Sequence, residues 1–75
     1  MRDVTPRQIE AVQAHLDTGT MRAAGELLGI SPHTVAHHIA AARDREGVET
    51  TEQLVCVLTA AGHLAWRAST SRQRR

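Results

Sequence analysis

The sequence predicts an all-α fold: four short helices forming a helix-turn-helix domain. Three observations carry this. The stretch Leu28-Gly29-Ile30-Ser31-Pro32-His33-Thr34-Val35 encodes a helix stop, a corner and a helix start. Helix-start signals recur at Thr5-Pro6-Arg7-Gln8 and at Thr50 with Gln53. The apolar content, 41%, comes mostly from Ala, Val, Leu and Ile, with no Phe or Tyr and one Trp. That is material for a compact helical bundle.

Thr5 reads as an N-cap, Pro6 as the first helical residue and Gln8 as the closing member of a capping box. The first helix runs from 6 to about 17. Ile9, Val12 and Leu16 share its inner face, with Arg7, Glu10 and Gln13 outside. Val4 is placed to staple back onto Ile9, and Thr18-Gly19 ends the helix. Thr20 caps a second helix over about 21–28, with Ala24, Leu27 and Leu28 inward. Gly25 in its interior costs about 1 kcal/mol, so it needs a reason, and close approach of the following helix is the physical one.

The corner comes next. Gly29 supplies the left-handed backbone that ends a helix cheaply. Ile30 is a lone apolar residue placed for burial. Ser31 is a good N-cap, and Pro32 sits where a missing N–H costs nothing. Helices joined this tightly meet at a steep angle, the geometry that presents the second one to a DNA major groove. The third helix spans about 32–45. Val35, Ile39 and Ala42 form its buried stripe, and His38 lies at the edge. Gly47 stops it and Val48 tucks under as a plug.

Thr50 and Gln53 form a second capping box for a fourth helix over about 51–61, ending at Gly62. Its run Leu54-Val55-Cys56-Val57-Leu58 covers all sides of a helix. Leu54, Val57, Leu58 and Ala61 serve the core in this reading. Val55, Cys56 and Ala60 are left outside as an apolar face, whose simplest partner is the same helix of a second copy. Residues 1–64 thus form the domain, and 65–75 a basic tail expected to be disordered. Trp66 is read as closing the end of the core.

Seventy-five residues allow one small domain. A chain this short buries only about 60% of its unfolded surface, so dimerisation would help it. Cys56 is the lone cysteine, which excludes an internal disulfide framework and favours a reducing cytoplasm. No signal peptide or membrane-length apolar run is read. The net charge of +1 is unevenly spread. Residues 1–64 hold five Arg against eight acids, whereas 65–75 hold Arg67, Arg72, Arg74, Arg75 and no acid. There is no Lys. A mildly acidic body with a basic end is not the uniform basic stripe of a strong DNA binder.

Taken in order, Val4-Thr5-Pro6-Arg7-Gln8, the string from Leu28 to Val35, His38-Ile39, Gly47-Val48 and the Gln53-containing apolar helix ending at Gly62 resemble the LuxR/GerE-type helix-turn-helix domain over roughly residues 4–64. The resemblance implies sequence-specific binding of double-stranded DNA by a homodimer. The third helix would enter the major groove at a pseudo-palindromic site, and the fourth would form the dimer contact. This sequence departs from that pattern where the family usually reads bases. Ala36 and His37 stand where Lys or Arg and then Asn are frequent, and Ala40 stands at a polar position. The sensing or receiver domain of that family has no counterpart here.

On this reading the base-facing residues are His33, Ala36, His37 and Ala40. Imidazole can donate to guanine, and Ala can meet a thymine methyl. Phosphate contacts fall to Arg7, Thr20, Arg22, Ser31, Thr34 and Arg43. The free N–H groups at the start of the second helix attract an anion, and hydroxyls near the start of the third bond phosphates well. Each has a plainer alternative: solvated surface for His33 and His37, capping for Ser31, and the helix dipole for Arg43 and Arg45. Arg45 can also pair with neighbouring acids. The tail arginines can follow a groove as flexible arms do or simply keep the end soluble.

No nucleophile–base arrangement or phosphate-cradling Gly-rich loop points to an enzyme. His33 and His37 have a spacing that can ligate zinc, but no nearby Cys or carboxylate completes a site, so no metal or cofactor is expected. Cys56 reads as packing. The alternative to DNA reading is a protein-interaction module on the same scaffold, docking RNA polymerase or another regulator.

Overall fold

The computed structural model describes residues 4–64, and in them a hydroxyl side chain opens every helix. The elements are α1 (Pro6–Thr18), α2 (Met21–Leu28), α3 (Pro32–Glu46) and α4 (Thr51–Ala60), with no strand among the described residues. Thr5 Oγ1 accepts from the Gln8 N–H at 3.1 Å, and Gln8 Oε1 accepts from the Thr5 N–H at 3.0 Å. The same box recurs at α4, where Thr50 Oγ1 accepts from the Gln53 N–H at 3.1 Å and Gln53 Oε1 accepts from the Thr50 N–H at 3.3 Å. These bonds satisfy backbone donors that a helix start leaves unpaired. Val4, just before the first cap, is buried, and Ile9 packs against the same core. The two hold the positions of a hydrophobic staple.

α3 is the hub. It packs against each of the other three helices, and α1 and α2 also pack on each other. Val35, Ile39 and Ala42 give it a fully enclosed inner stripe, and Val12, Leu54 and Leu58 complete the centre. Each large aliphatic buried in this way contributes about 1.5–3 kcal/mol. Val48 packs against this core from the turn after α3, and Leu64 is buried at the end of the described chain. Trp66 and the tail lie outside the described residues.

Several expectations about facing are corrected. Leu27, read as inward, is 61% exposed. α2 is only two turns long, and it meets the core through Met21, Ala24 and Leu28, with Gly25 buried beside them. In α4, Leu54 and Leu58 are buried, but Val57 is 37% exposed and Ala61 is exposed. Val55 packs against the core instead. Leu58 lies four residues after Leu54 and three after Val55, so the inner stripe is rotated toward Val55. Leu16 is half-buried, and buried Ala11 and Ala14 take much of α1's inner face. Ile30 is half-buried, packed against the core from the corner.

Candidate nucleic-acid interface

The corner is fixed by backbone as much as by side chains. Gly29 adopts the left-handed conformation (φ 75°) and its N–H bonds the Gly25 carbonyl. The Ile30 N–H donates to that same carbonyl at 2.9 Å. This double closure satisfies the end of α2 and turns the chain within two residues. A Cβ on Gly25 would lie 2.5 Å from the Ile30 carbonyl oxygen and 3.2 Å from the Pro32 nitrogen. The close approach expected there is made by the turn backbone leading into α3.

Ser31 Oγ then accepts from the Thr34 N–H at 3.0 Å, and the hydroxyls of Ser31 and Thr34 are themselves 2.9 Å apart. Ser31 is exposed and Thr34 half-buried, so the two phosphate candidates of α3 form one hydroxyl pair at its mouth. Thr20 Oγ1 accepts from the Ala23 N–H at 3.0 Å, capping α2. Hydroxyls engaged in this way keep a second lone pair or a rotatable O–H for an outside group.

The outer face of α3 is set by its inner one. His33, His37, Ala40 and Asp44 succeed one another at four-, three- and four-residue steps, which places them on one stripe. All four are exposed. Ala36, also assigned to base contact, is half-buried beside them. The His37 and His38 rings lie 6.2 Å apart and tilted by 57°. Asp44 joins this face without having been assigned to it from the sequence. Its signal was the same periodicity, continued one turn beyond the histidines.

The arginines are dispersed. Arg7 pairs with Glu10 at 2.9 Å. Arg43 donates to Thr51 Oγ1 at 3.3 Å, tying the last turn of α3 to the first of α4. Arg22 is exposed on α2 and makes no ion pair among the described residues. On α4, Cys56 and Ala60 are exposed as expected for an outer face, whereas Val55 is half-buried. Among the described residues, no group of three or more His, Cys, Asp or Glu could hold a metal. No helix there is long and apolar enough to cross a membrane.

A helix ended by a left-handed Gly, a two-residue corner and a hydroxyl-capped second helix with an exposed outer face define a helix-turn-helix domain. Residues 6–63 match the model for the bacterial regulatory helix-turn-helix protein, lysR family. The chain belongs to that family, and its class is DNA-binding transcription regulator. No curated protein and no solved structure matches it. The family match overturns the resemblance to LuxR/GerE domains. The string at 29–35 encodes a left-handed stop, a cap and a proline start. Those are requirements of the corner, which unrelated helix-turn-helix families have to meet with the same residue types.

Proposed function

We propose that this regulator binds duplex DNA sequence-specifically as a homodimer, with α3 in the major groove of each half of a pseudo-palindromic site. The observation that carries the reading is the exposed stripe of α3, held rigidly by a fully buried opposite face. His33, Ala36, His37 and Ala40 meet base edges. Arg7, Thr20, Arg22, Ser31, Thr34 and Arg43 meet phosphates, and Arg43 does so while anchored to Thr51. The dimer contact is α4, where Cys56 and Ala60 are exposed and Val55 supports them from below. Val57, also exposed on α4, extends that apolar face. The chain works in the cytoplasm, where its lone Cys56 stays reduced.

Fluorescence anisotropy against duplex libraries at several salt concentrations tests this. The expected result is selection of a two-fold symmetric site with affinity that falls steeply as salt rises. Absent or salt-insensitive binding across all sequences would overturn it. One observation favours a second reading, a protein-interaction module that docks RNA polymerase or another regulator: the acidic side chain of Asp44 stands on the same α3 stripe, where no Arg does. The double substitution Thr34→Ala with His37→Ala separates the two. It abolishes DNA binding under the first reading and leaves a protein contact intact under the second.

A further inference from the structure

The face that α3 turns to solvent holds no Arg or Lys. Its exposed stripe runs His33, His37, Ala40 and Asp44, and the two arginines of the helix, Arg43 and Arg45, lie off that stripe in the last turn. Over residues 4–64, four arginines stand against seven acids, a net of three negative charges while the histidines are neutral. Arg7 is paired with Glu10 at 2.9 Å, and Arg43 donates to Thr51. A polyanion approaching this body therefore meets little fixed positive charge.

Imidazole is the side chain that changes charge between about pH 5 and pH 8. Three of the five histidines are on α3. His33 and His37 are exposed about one turn apart, and His38 is half-buried with its ring 6.2 Å from that of His37. α3 packs on all three other helices. These bring Arg7, Glu10, His15 and Asp17 from α1, Arg22 and Glu26 from α2, and Glu52 from α4, with Glu49 just before it. On α3 itself the acids are Asp44 and Glu46. No carboxylate makes an ion pair with His33, His37 or His38 among the described residues. The counter-charge for these imidazoles is left to come from a bound partner.

We infer, on the reading that α3 faces DNA, that binding is proton-coupled: the complex takes up protons on His33 and on the His37–His38 pair, so affinity for duplex DNA rises as pH falls. Phosphates close to an imidazole favour its charged form. Adjacent imidazolium charges repel, so the pair contributes one proton rather than two. The gain is present in full at the acid end, and it is lost as pH rises past the point where the complex itself releases the protons. If the phosphates favour each charged form by about one pH unit, each proton adds about tenfold to affinity, and two add about a hundredfold per α3.

Anisotropy titrations of a labelled mixed-sequence duplex at about pH 6 and about pH 8, at constant ionic strength, test this across the imidazole range. Wild-type affinity is expected to be at least about tenfold higher at the acid end, with a difference that shrinks as salt rises. Replacing His33, His37 and His38 together by Gln flattens the profile. His33→Arg with His37→Arg also flattens it, but holds strong binding at the alkaline end because the charge is fixed. Circular dichroism checks the fold of both variants. His15→Gln with His63→Gln, away from α3, keeps the wild-type profile. A flat wild-type profile, or one that survives the triple Gln replacement or vanishes with the His15 and His63 pair, would overturn the inference and leave DNA binding standing. No binding at any pH would overturn the inference and the DNA reading together.

Discussion

The carbonyl oxygen of Ile30 occupies the space a side chain on Gly25 would need, 2.5 Å from an ideal Cβ, while the Ile30 N–H donates to the Gly25 carbonyl at 2.9 Å. The two residues are locked by one bond and one exclusion. Helix propensity alone would make Gly25→Ala stabilising by about 1 kcal/mol. The blocking atom is backbone and cannot swing aside, so an overpacking cost of about 1–3 kcal/mol wins. Urea denaturation should show net destabilisation of Gly25→Ala. DNA affinity should fall further than the lost stability explains, because the corner aims α3.

Leu58 and Val57 are neighbours in sequence with opposite roles. Leu58 is fully enclosed, so Leu58→Ala should cost about 2–5 kcal/mol. That is much of the total stability of a domain this small, and thermal melts should show a partly unfolded protein at room temperature.

Val57→Asp tests the α4 contact. Val57 is 37% exposed, so the fold should survive by circular dichroism. Sedimentation should shift from dimer to monomer. DNA affinity should drop because two half-sites are no longer bound together. An unchanged sedimentation coefficient would remove α4 from the dimer contact.

Asp44 ends the α3 stripe with a negative charge. Asp44→Asn should raise affinity for duplex DNA at low salt, and the gain should shrink as salt rises. It should also add a few tenths of a kcal/mol to stability by relieving an unfavourable acid near a helix C-terminus. Titrations with both proteins at two ionic strengths check the first effect, and chemical denaturation checks the second.

Ser31→Ala and Thr20→Ala each remove an N-cap, at about 1 kcal/mol apiece. Thr34→Ala leaves the Thr34 N–H free to donate to Ser31, so its stability cost should be smaller. Comparing the three by chemical denaturation and by DNA titration separates capping from phosphate contact. Thr34→Ala should weaken binding more than it weakens the fold.

The helix boundaries and the corner were legible because capping is local. Thr5 with Gln8, Thr50 with Gln53, and Gly29 before Ser31-Pro32 satisfy their own backbone within a few residues, without reference to the rest of the chain. Facing was less legible where periodicity had no contrast. Five consecutive apolar residues from Leu54 to Leu58 fit several helical phases equally, and packing on α3 chose the one that turns Val55 in and Val57 out. Leu27 was misjudged because α2 meets the core through Met21, Ala24 and Leu28, at three- and four-residue steps that leave position 27 off the inner stripe. On α3, the exposure of His33 and His37 was readable from spacing. The tie from Arg43 to Thr51 joins residues in different helices, and nothing in the spacing announces it. The family was misassigned on residues that any such corner requires.

α3 packs on every other helix while its far side is left to solvent. The residues that build the domain and those that face outward therefore occupy separate positions of one element. His33, His37 and Ala40 can be exchanged for a range of polar side chains with little loss of stability, since surface substitutions away from caps and core fall mostly within about 0.5 kcal/mol. A library randomised at these three positions should keep its fold almost throughout, so the outward face can be varied without rebuilding the domain.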